Sequence, residues 1–242
     1  MALGRRLGAG RVAEVFEWGP DVVKLYAAGI GPEQAQREAA TLDGLHDGPL
    51  VVPRSLGVVE FDGRWGLAMS RMPGRPLAEL LGGDGLPAGV ARFAALHRQI
   101  HRQSAAGLMP LKQRLAMRIG RAGELDDASR ARLLDRLGRL PDGDRLCHGD
   151  FHPFNIMADG DGLAIIDWLD ATSGPPAADV CRSYLLMLHH VPELAELYLN
   201  AYTESATFER AEVVDWLSVQ AAARLDEGVP DEVERLLELA RR

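Results

Sequence analysis

A polar segment in the second half of the chain carries the residue types that phosphoryl transfer requires. The run from Cys147 to Asn155 reads CHGDFHPFN, and it sets Asp150 five residues ahead of Asn155. An apolar strand follows at Leu163–Ile166, and Asp167 stands at its end. A carboxylate can orient an attacking hydroxyl and accept its proton, and side-chain oxygens can hold the Mg²⁺ that binds nucleotide phosphates. A polar turn is the simpler interpretation, but it leaves the third oxygen-bearing residue unexplained.

Composition excludes several other classes of function. The 242 residues are 47% hydrophobic and 26% charged, and the net charge is −8. This balance argues against a nucleic-acid binder and favours cationic or neutral small-molecule partners. No apolar run approaches the roughly 20 residues of a membrane span, and no signal peptide opens the sequence, so we expect a cytoplasmic protein without a membrane partner. Cys147 and Cys181 fit buried small hydrophobes better than a disulfide framework.

Hydrophobic periodicity predicts an α+β fold with two lobes. Residues 1–71 form a small β-rich N-lobe, and residues 72–242 form a larger, mostly helical C-lobe that contains the polar segment 147–155 and Asp167. Asp62-Gly63 is the strongest hairpin signal. Strands are predicted at 12–18, 22–26, 55–61, 64–69 and 163–166, and helices at 32–45, 77–81, 90–103, 111–120, 129–140, 177–190, 194–203, 208–225 and 231–242.

The predicted N-lobe contains a glycine-rich turn and a lysine in a strand. Gly8 and Gly10 let the backbone approach phosphates, although Ala13 replaces the third glycine of the full motif. Lys24 stands in the middle of an apolar strand, where a charge is costly unless it is paired. Glu38 on the following helix is the natural partner. A plain hairpin, an edge-strand lysine and a solvated glutamate are the alternatives when each feature is taken separately.

Together these features resemble the aminoglycoside phosphotransferase and choline kinase-like family. The resemblance covers nearly the whole chain and is most specific over residues 146–185. It implies a two-lobed, protein-kinase-like fold. In such a fold residues 1–71 would bind the nucleotide, and residues 72–242 would carry the catalytic loop, the metal site and the helices that bind substrate. It also implies an enzyme that uses ATP or GTP with Mg²⁺ to phosphorylate a hydroxyl of a small molecule.

The resemblance also implies roles for individual residues. Asp150 resembles the catalytic base, and Asn155 and Asp167 resemble the Mg²⁺ ligands. His148 resembles a structural histidine that packs and hydrogen-bonds. The nucleotide-binding residues would be Gly8, Gly10, Lys24, Glu38 and, through the backbone of a hinge, Ser70 and Met72.

The acceptor stays open at this point. Only eleven residues separate Asp167 from Asp179, which leaves no room for an activation loop and argues against a protein kinase. An aminoglycoside, a choline-like alcohol, a sugar, a macrolide and a biosynthetic intermediate are all compatible with the sequence. An aminoglycoside would need an acidic pocket, and the C-terminal acids either supply one or form the polar face of terminal helices: Asp226, Glu227, Asp231, Glu232 and Glu234.

A catalytically silent, nucleotide-binding regulatory module is the alternative function. The oligomeric state cannot be inferred from the sequence. The basic stretch 112–139 also carries acids and lacks interleaved aromatic residues, which favours a solvated helical face over a nucleic-acid site.

Five further positions have roles that the sequence leaves open or assigns to structure. Asp170 could orient the metal ligand or face the acceptor, and His152 could stabilise its loop or contact substrate. Asp179 is predicted to begin a helix and to bond the backbone of the catalytic loop. His97 and His101 lie one helical turn apart and are predicted to be packing residues, because no third ligand lies nearby in the sequence.

Overall fold

The computed structural model describes residues 2–242, apart from the side chain of Asp84, and has a mixed α+β fold. The strands are β1 (Arg6–Ala9), β2 (Ala13–Trp18), β3 (Asp21–Tyr26), β4 (Ser55–Phe61), β5 (Arg64–Met69), β6 (Arg75–Pro76), β7 (Arg145–Cys147), β8 (Ile156–Asp159), β9 (Gly162–Ile165) and β10 (Thr172–Gly174). The helices are α1 (Glu33–Leu45), α2 (Leu86–Ile100), α3 (Leu111–Arg121), α4 (Asp127–Arg139), α5 (Pro176–His190), α6 (Pro192–Thr203), α7 (Arg210–Val214), α8 (Leu217–Leu225) and α9 (Val233–Ala240). Short 3-10 helices occur at Leu77–Glu79, Gly83–Gly85, Pro153–Asn155 and Pro230–Glu232.

The chain divides into two compact units. The first contains the residues up to Glu79 together with Pro153–Leu169, and the second contains Leu80–His152 together with Asp170–Arg242. Strand β6 pairs with β8, so residues after 71 pack with the first unit. The functional boundary after residue 71 stays a prediction.

An antiparallel sheet with strand order β1-β2-β3-β5-β4 dominates the first unit. Strand β3 is central, and its residues from Val22 to Tyr26 are buried. Helix α1 packs against β4 and β5 with Ala35 and Leu42 in the core. Lys24 therefore lies in the interior of the sheet, between Val15 on β2 and Leu67 on β5.

The hairpin predicted at Asp62-Gly63 is present. Both residues have positive φ, 49° and 73°, as a two-residue turn between right-twisted strands requires. Strands β4 and β5 have the predicted bounds on either side of this turn. Short strands β1, β6, β7, β8 and β10 were not predicted, because two to four residues carry too little periodicity.

Helices form most of the second unit. Phe93 of α2 stacks on Phe151 at 4.4 Å between ring centroids, in the core of this unit. The single helix predicted over 208–225 is wrong, because it is broken into α7 and α8. At the break the N–H of Trp216 donates to the carbonyl of Val213, which tightens the turn, and the Trp216 indole is buried. Cys147 and Cys181 are buried free thiols, as expected. None of the described helices is long and apolar enough to cross a membrane.

Candidate active site

Lys24 is a buried cation that pairs with two carboxylates in the first unit. Its Nζ lies 2.9 Å from Oε2 of Glu38 and 2.7 Å from Oδ1 of Asp167. The Lys24 side chain is 6% exposed and that of Glu38 is 1% exposed. Burial works to lower the pKa of Lys24, but the two carboxylates outweigh it and raise the pKa above its usual value. The predicted pairing of Lys24 with Glu38 is therefore present, and the lysine carries its charge.

Glu38 also fixes the chain that follows Asp167. The hydroxyl of Tyr26 donates to Oε2 of Glu38 at 2.6 Å, and the N–H of Trp168 donates to Oε1 at 3.2 Å. Burial and the neighbouring Glu38 charge raise the pKa of Tyr26, so its hydroxyl stays a donor. One glutamate thus joins helix α1, strand β3 and the segment after β9.

Asn155 and Asp167 are brought together by the β8–β9 hairpin. Ile156 pairs with Ile165, and the N–H of Ile166 donates to the carbonyl of Asn155 at 2.9 Å. Asp167 has a φ of +63°, a left-handed conformation that costs a non-glycine residue about 1–2 kcal/mol. Such a conformation persists where surrounding contacts fix it, and here Lys24 bonds the side chain. The two residues offer the oxygen ligands that Mg²⁺ prefers.

Asp150 lies in the second unit, after strand β7. Gly149 before it has a φ of +80°, and a Cβ there would come within 2.3 Å of the carbonyl oxygen of Asp170. The Asp150 carboxylate is 28% exposed and lies 3.4 Å from Nε2 of His152 and 3.5 Å from Nη2 of Arg182. Burial works to raise the pKa of Asp150, but the hydrogen bond from His152 and the charge of Arg182 lower it below its usual value. Asp150 is therefore ionised at neutral pH.

Asp179 holds the backbone just ahead of Asp150. The N–H of His148 donates to Oδ2 of Asp179 at 2.7 Å, and the N–H of Gly149 donates to Oδ1 at 2.8 Å. Asp179 lies in the first turn of α5, and its predicted bond to the catalytic loop is confirmed. Nδ1 of His148 accepts from the Asp150 N–H at 3.2 Å. The conformation of the loop is thus set by buried polar groups.

The histidine pair belongs to the same network. Nε2 of His97 and Nε2 of His101 lie 3.0 and 3.1 Å from Oδ2 of Asp179. The expectation that no third ligand-type group is near the pair is wrong, because the fold brings Asp179 to it from about 80 residues away in sequence. These three residues have the atoms to bind a metal ion. However, the hydroxyls of Tyr198 and Tyr202 bond the two Nδ1 atoms at 2.6 Å, and hydrogen bonds alone satisfy the network.

His97 gives this network a pH dependence. Burial, followed by the neighbouring His101, lowers the pKa of His97 to about 3. The unfolded chain protonates this residue near pH 6.5 and the folded protein does not, so stability falls as the pH falls below that value. We expect His97 to remove about 2 kcal/mol from the free energy of unfolding between pH 7.5 and pH 5.

Thermal denaturation across this pH range tests the expectation. The Tm of a His97→Gln variant should fall less than that of the unmodified protein, whereas substitution of the exposed His46 by glutamine should leave the pH slope unchanged. Equal slopes for all three proteins would contradict the assignment.

A second ionic network surrounds Asp170. Nη1 of Arg114 and Nη2 of Arg118 lie 2.7 and 2.9 Å from its carboxylate. Burial works to raise the pKa of Asp170, but these two arginines lower it below its usual value. The prediction of a solvated face over 112–139 is therefore wrong at Arg114 and Arg118, whose side chains are only 12% and 16% exposed. Their spacing of four on one helix was the signal in the sequence.

The remaining predicted nucleotide contacts also belong to the first unit. Gly8 belongs to β1 and Gly10 to the turn after it, and both are exposed. A Cβ on Gly8 would meet nothing within 4 Å, so packing does not explain that glycine. The N–H of Ser70 donates to the carbonyl of Arg54 at 2.9 Å, and Met72 is half-buried in the segment after β5. Nucleotide binding by these four predicted residues stays a prediction.

Several solved structures of small-molecule kinases have a similar fold. Aminoglycoside-3'-phosphotransferase of type VIII is 20% identical, with a TM-score of 0.65 over 91% of this chain and 89% of that chain. Choline kinase LicA from Streptococcus pneumoniae is 15% identical, with a TM-score of 0.67 over 100% of this chain and 92% of that chain. A thermostable mutant of aminoglycoside phosphotransferase APH(4)-Ia, in a ternary complex with ADP and hygromycin B, is 18% identical, with a TM-score of 0.61 over 99% and 93%.

The sequence itself gives a family assignment. No curated protein matches it significantly. The phosphotransferase enzyme family (APH), however, matches residues 5–217, which is most of the chain. The predicted resemblance and the predicted kinase-like α+β fold are both confirmed. The chain therefore belongs to the phosphotransferase enzyme family.

Proposed function

We propose that this protein is a Mg²⁺-dependent kinase that transfers the γ-phosphoryl group of ATP to a hydroxyl group of a small molecule. The observation that carries the proposal is the ionic cluster in which the buried pair Lys24 and Glu38 meets the half-buried Asp167, in a chain of this family. ATP is proposed over GTP because the similar ternary complex contains ADP. We also propose a cytoplasmic location, where ATP is available.

The first unit would bind the nucleotide. Lys24 is charged and held in place by two carboxylates, which suits a residue that positions phosphate oxygens. Gly8 and Gly10 leave the backbone open to phosphates, and the backbone from Ser70 to Met72 would contact the base. Asn155 and Asp167 would hold Mg²⁺, which neutralises charge that develops on the phosphates.

The second unit would activate the acceptor. Asp150 is ionised at neutral pH, so its carboxylate can accept a hydrogen bond from the acceptor hydroxyl and fix its direction. A carboxylate with a lowered pKa is a weak base. This suits phosphoryl transfer through a loose transition state, in which bonding to the nucleophile is limited and its proton leaves late. Arg182, which donates to the carbonyl of Gly149 at 3.1 Å, would keep the carboxylate in position.

A silent nucleotide-binding module is the competing proposal. Such a protein would not need an ionised Asp150 or a backbone fixed by Asp179. The presence of Lys24, Asp150, Asn155 and Asp167 together supports the enzyme. Acceptor-dependent release of ADP, measured with a panel of sugars, amino alcohols and aminoglycosides, separates the two.

The metal requirement has its own test. Asp167→Asn keeps an oxygen near Lys24 but loses a carboxylate ligand, so we expect kcat at a fixed Mg²⁺ concentration to fall at least about 100-fold. Titration of Mg²⁺ should show a weaker apparent affinity. The matched control is Asp159→Asn, an exposed acid at the end of β8. Equal Mg²⁺ dependence in both variants would contradict the ligand assignment.

A further inference from the structure

We infer that the acceptor is an uncharged hydroxyl compound, such as a sugar or a polyol, and not a polycationic aminoglycoside. The inference rests on the proposed function, because it concerns the molecule that Asp150 would orient. Its basis is the state of the acidic side chains in the second unit.

Three of the five C-terminal acids that could attract a polycation are neutralised by arginines. Oε1 of Glu227 lies 2.6 Å from Arg182 and 2.9 Å from Arg118, and Oε2 bonds Arg224. Glu232 receives two bonds from Arg224, at 2.8 and 2.9 Å. These pairs are largely buried, with Glu227 and Glu232 both 8% exposed.

Asp226 is paired as well. Arg121 of α3 grips its carboxylate with two nitrogens, at 2.7 and 3.1 Å. Of the five C-terminal acids considered from the sequence, Asp231 and Glu234 remain on the exposed surface, as expected for the polar face of terminal helices.

These pairs continue up to the proposed catalytic base. Arg182 contacts both Glu227 and Asp150, so the neutralised acids adjoin the place where an acceptor hydroxyl would bind. Asp170 pairs with Arg114 and Arg118, and the charge of the nearby Asp150 works to raise the pKa of Asp170.

The charges of this network balance. Five arginines, at 114, 118, 121, 182 and 224, match five acids, at 150, 170, 226, 227 and 232. Within this network a polycation would find no surplus of negative charge unless it displaced arginines. Displacement is unfavourable, because buried carboxylates would lose their partners. An anionic acceptor would find no surplus of positive charge either. An uncharged acceptor fits this balance.

Matched pairs of acceptors test the inference. Glucose with glucosamine, and myo-inositol with 2-deoxystreptamine, differ mainly in amino groups, and kanamycin serves as the polycation. Within a pair whose uncharged compound is phosphorylated, we expect kcat/KM to be at least about 10-fold higher for that compound than for its amino counterpart. The kcat/KM of the uncharged compound should change little between about 50 and 300 mM salt. Preference for the amino member, or for kanamycin, would overturn the inference while leaving the phosphotransferase proposal intact.

A charge-releasing variant sharpens the test. Arg121→Gln frees the carboxylate of Asp226. The ratio of kcat/KM for the uncharged compound to kcat/KM for its amino counterpart should therefore fall by about three- to ten-fold. Arg210→Gln is the control, because it frees Glu196 from a 2.8 Å ion pair between α7 and α6 with the same change in charge. An unchanged preference in Arg121→Gln would also count against the inference.

Calorimetry with kanamycin tests the inference about the acceptor separately from the proposed kinase function. If kanamycin binds the unmodified protein with micromolar affinity at physiological salt, the inference is wrong whatever the turnover, and absence of such binding supports it. If no compound is phosphorylated and Asp150→Asn releases ADP as fast as the unmodified protein, the proposed function fails instead.

Discussion

Replacement of Asp150 by asparagine is expected to lower kcat about 10²- to 10⁴-fold, the usual contribution of a positioned general base. Asparagine keeps the size of the side chain but cannot accept the hydroxyl proton. The two partners of this carboxylate, His152 and Arg182, belong to the second unit, as Asp150 itself does. Lys24, Asn155 and Asp167 belong to the first unit, so the Kd for ATP should stay within about two-fold.

Two measurements check this expectation together. Acceptor-dependent ADP release gives kcat, and titration with ATP in the presence of Mg²⁺ gives the Kd. Asp144→Asn is the matched control, because this acid is 91% exposed and precedes the same strand β7. Full turnover by Asp150→Asn would remove the general base from the proposed mechanism.

Of the substitutions considered, replacement of Asp179 by asparagine should lower the stability of the folded protein most. The buried Asp179 carboxylate accepts hydrogen bonds from the backbone N–H groups of His148 and Gly149 and faces two buried histidine rings. An amide keeps one oxygen and turns its NH₂ group toward donors, which leaves buried polar groups without acceptors. We expect the free energy of unfolding to fall by about 3–5 kcal/mol. The Tm should fall by roughly 10 °C.

The same substitution should impair catalysis at temperatures where the variant is folded, because the backbone of His148 and Gly149 loses its acceptor. Asp215→Asn is a control for removal of one negative charge from an exposed position of the same unit. A Tm for Asp179→Asn equal to that of the control would show that the network is not needed for stability.

Local signals were sufficient for much of the fold and for one part of the site. The bounds of β4 and β5 follow from two strand-like segments on either side of a two-residue turn. The pairing of Lys24 with Glu38 follows from the cost of a buried unpaired charge. The contact between Lys24 and Asp167 could not be predicted in the same way, because it joins residues 143 positions apart.

The arginine network was missed for the same reason. Arg118 meets Asp170 across 52 positions, and Arg182 meets Glu227 across 45. Periodicity describes which face of a helix is polar, but it does not tell whether that face meets water or another charged face. The grouping of His97 and His101 with Asp179 likewise depends on how helices α2 and α5 pack, which single-helix patterns do not contain.

The two buried thiols make local opening of the protein around Asp179 measurable. Cys147 directly precedes His148, and Cys181 follows Asp179 by two residues. Burial raises the pKa of both thiols, so neither forms the reactive thiolate readily in the closed protein. Their rate of alkylation therefore measures how often this part of the protein opens to solvent. Because the chain has no other cysteines, that opening can be followed in the unmodified sequence, without an introduced label site.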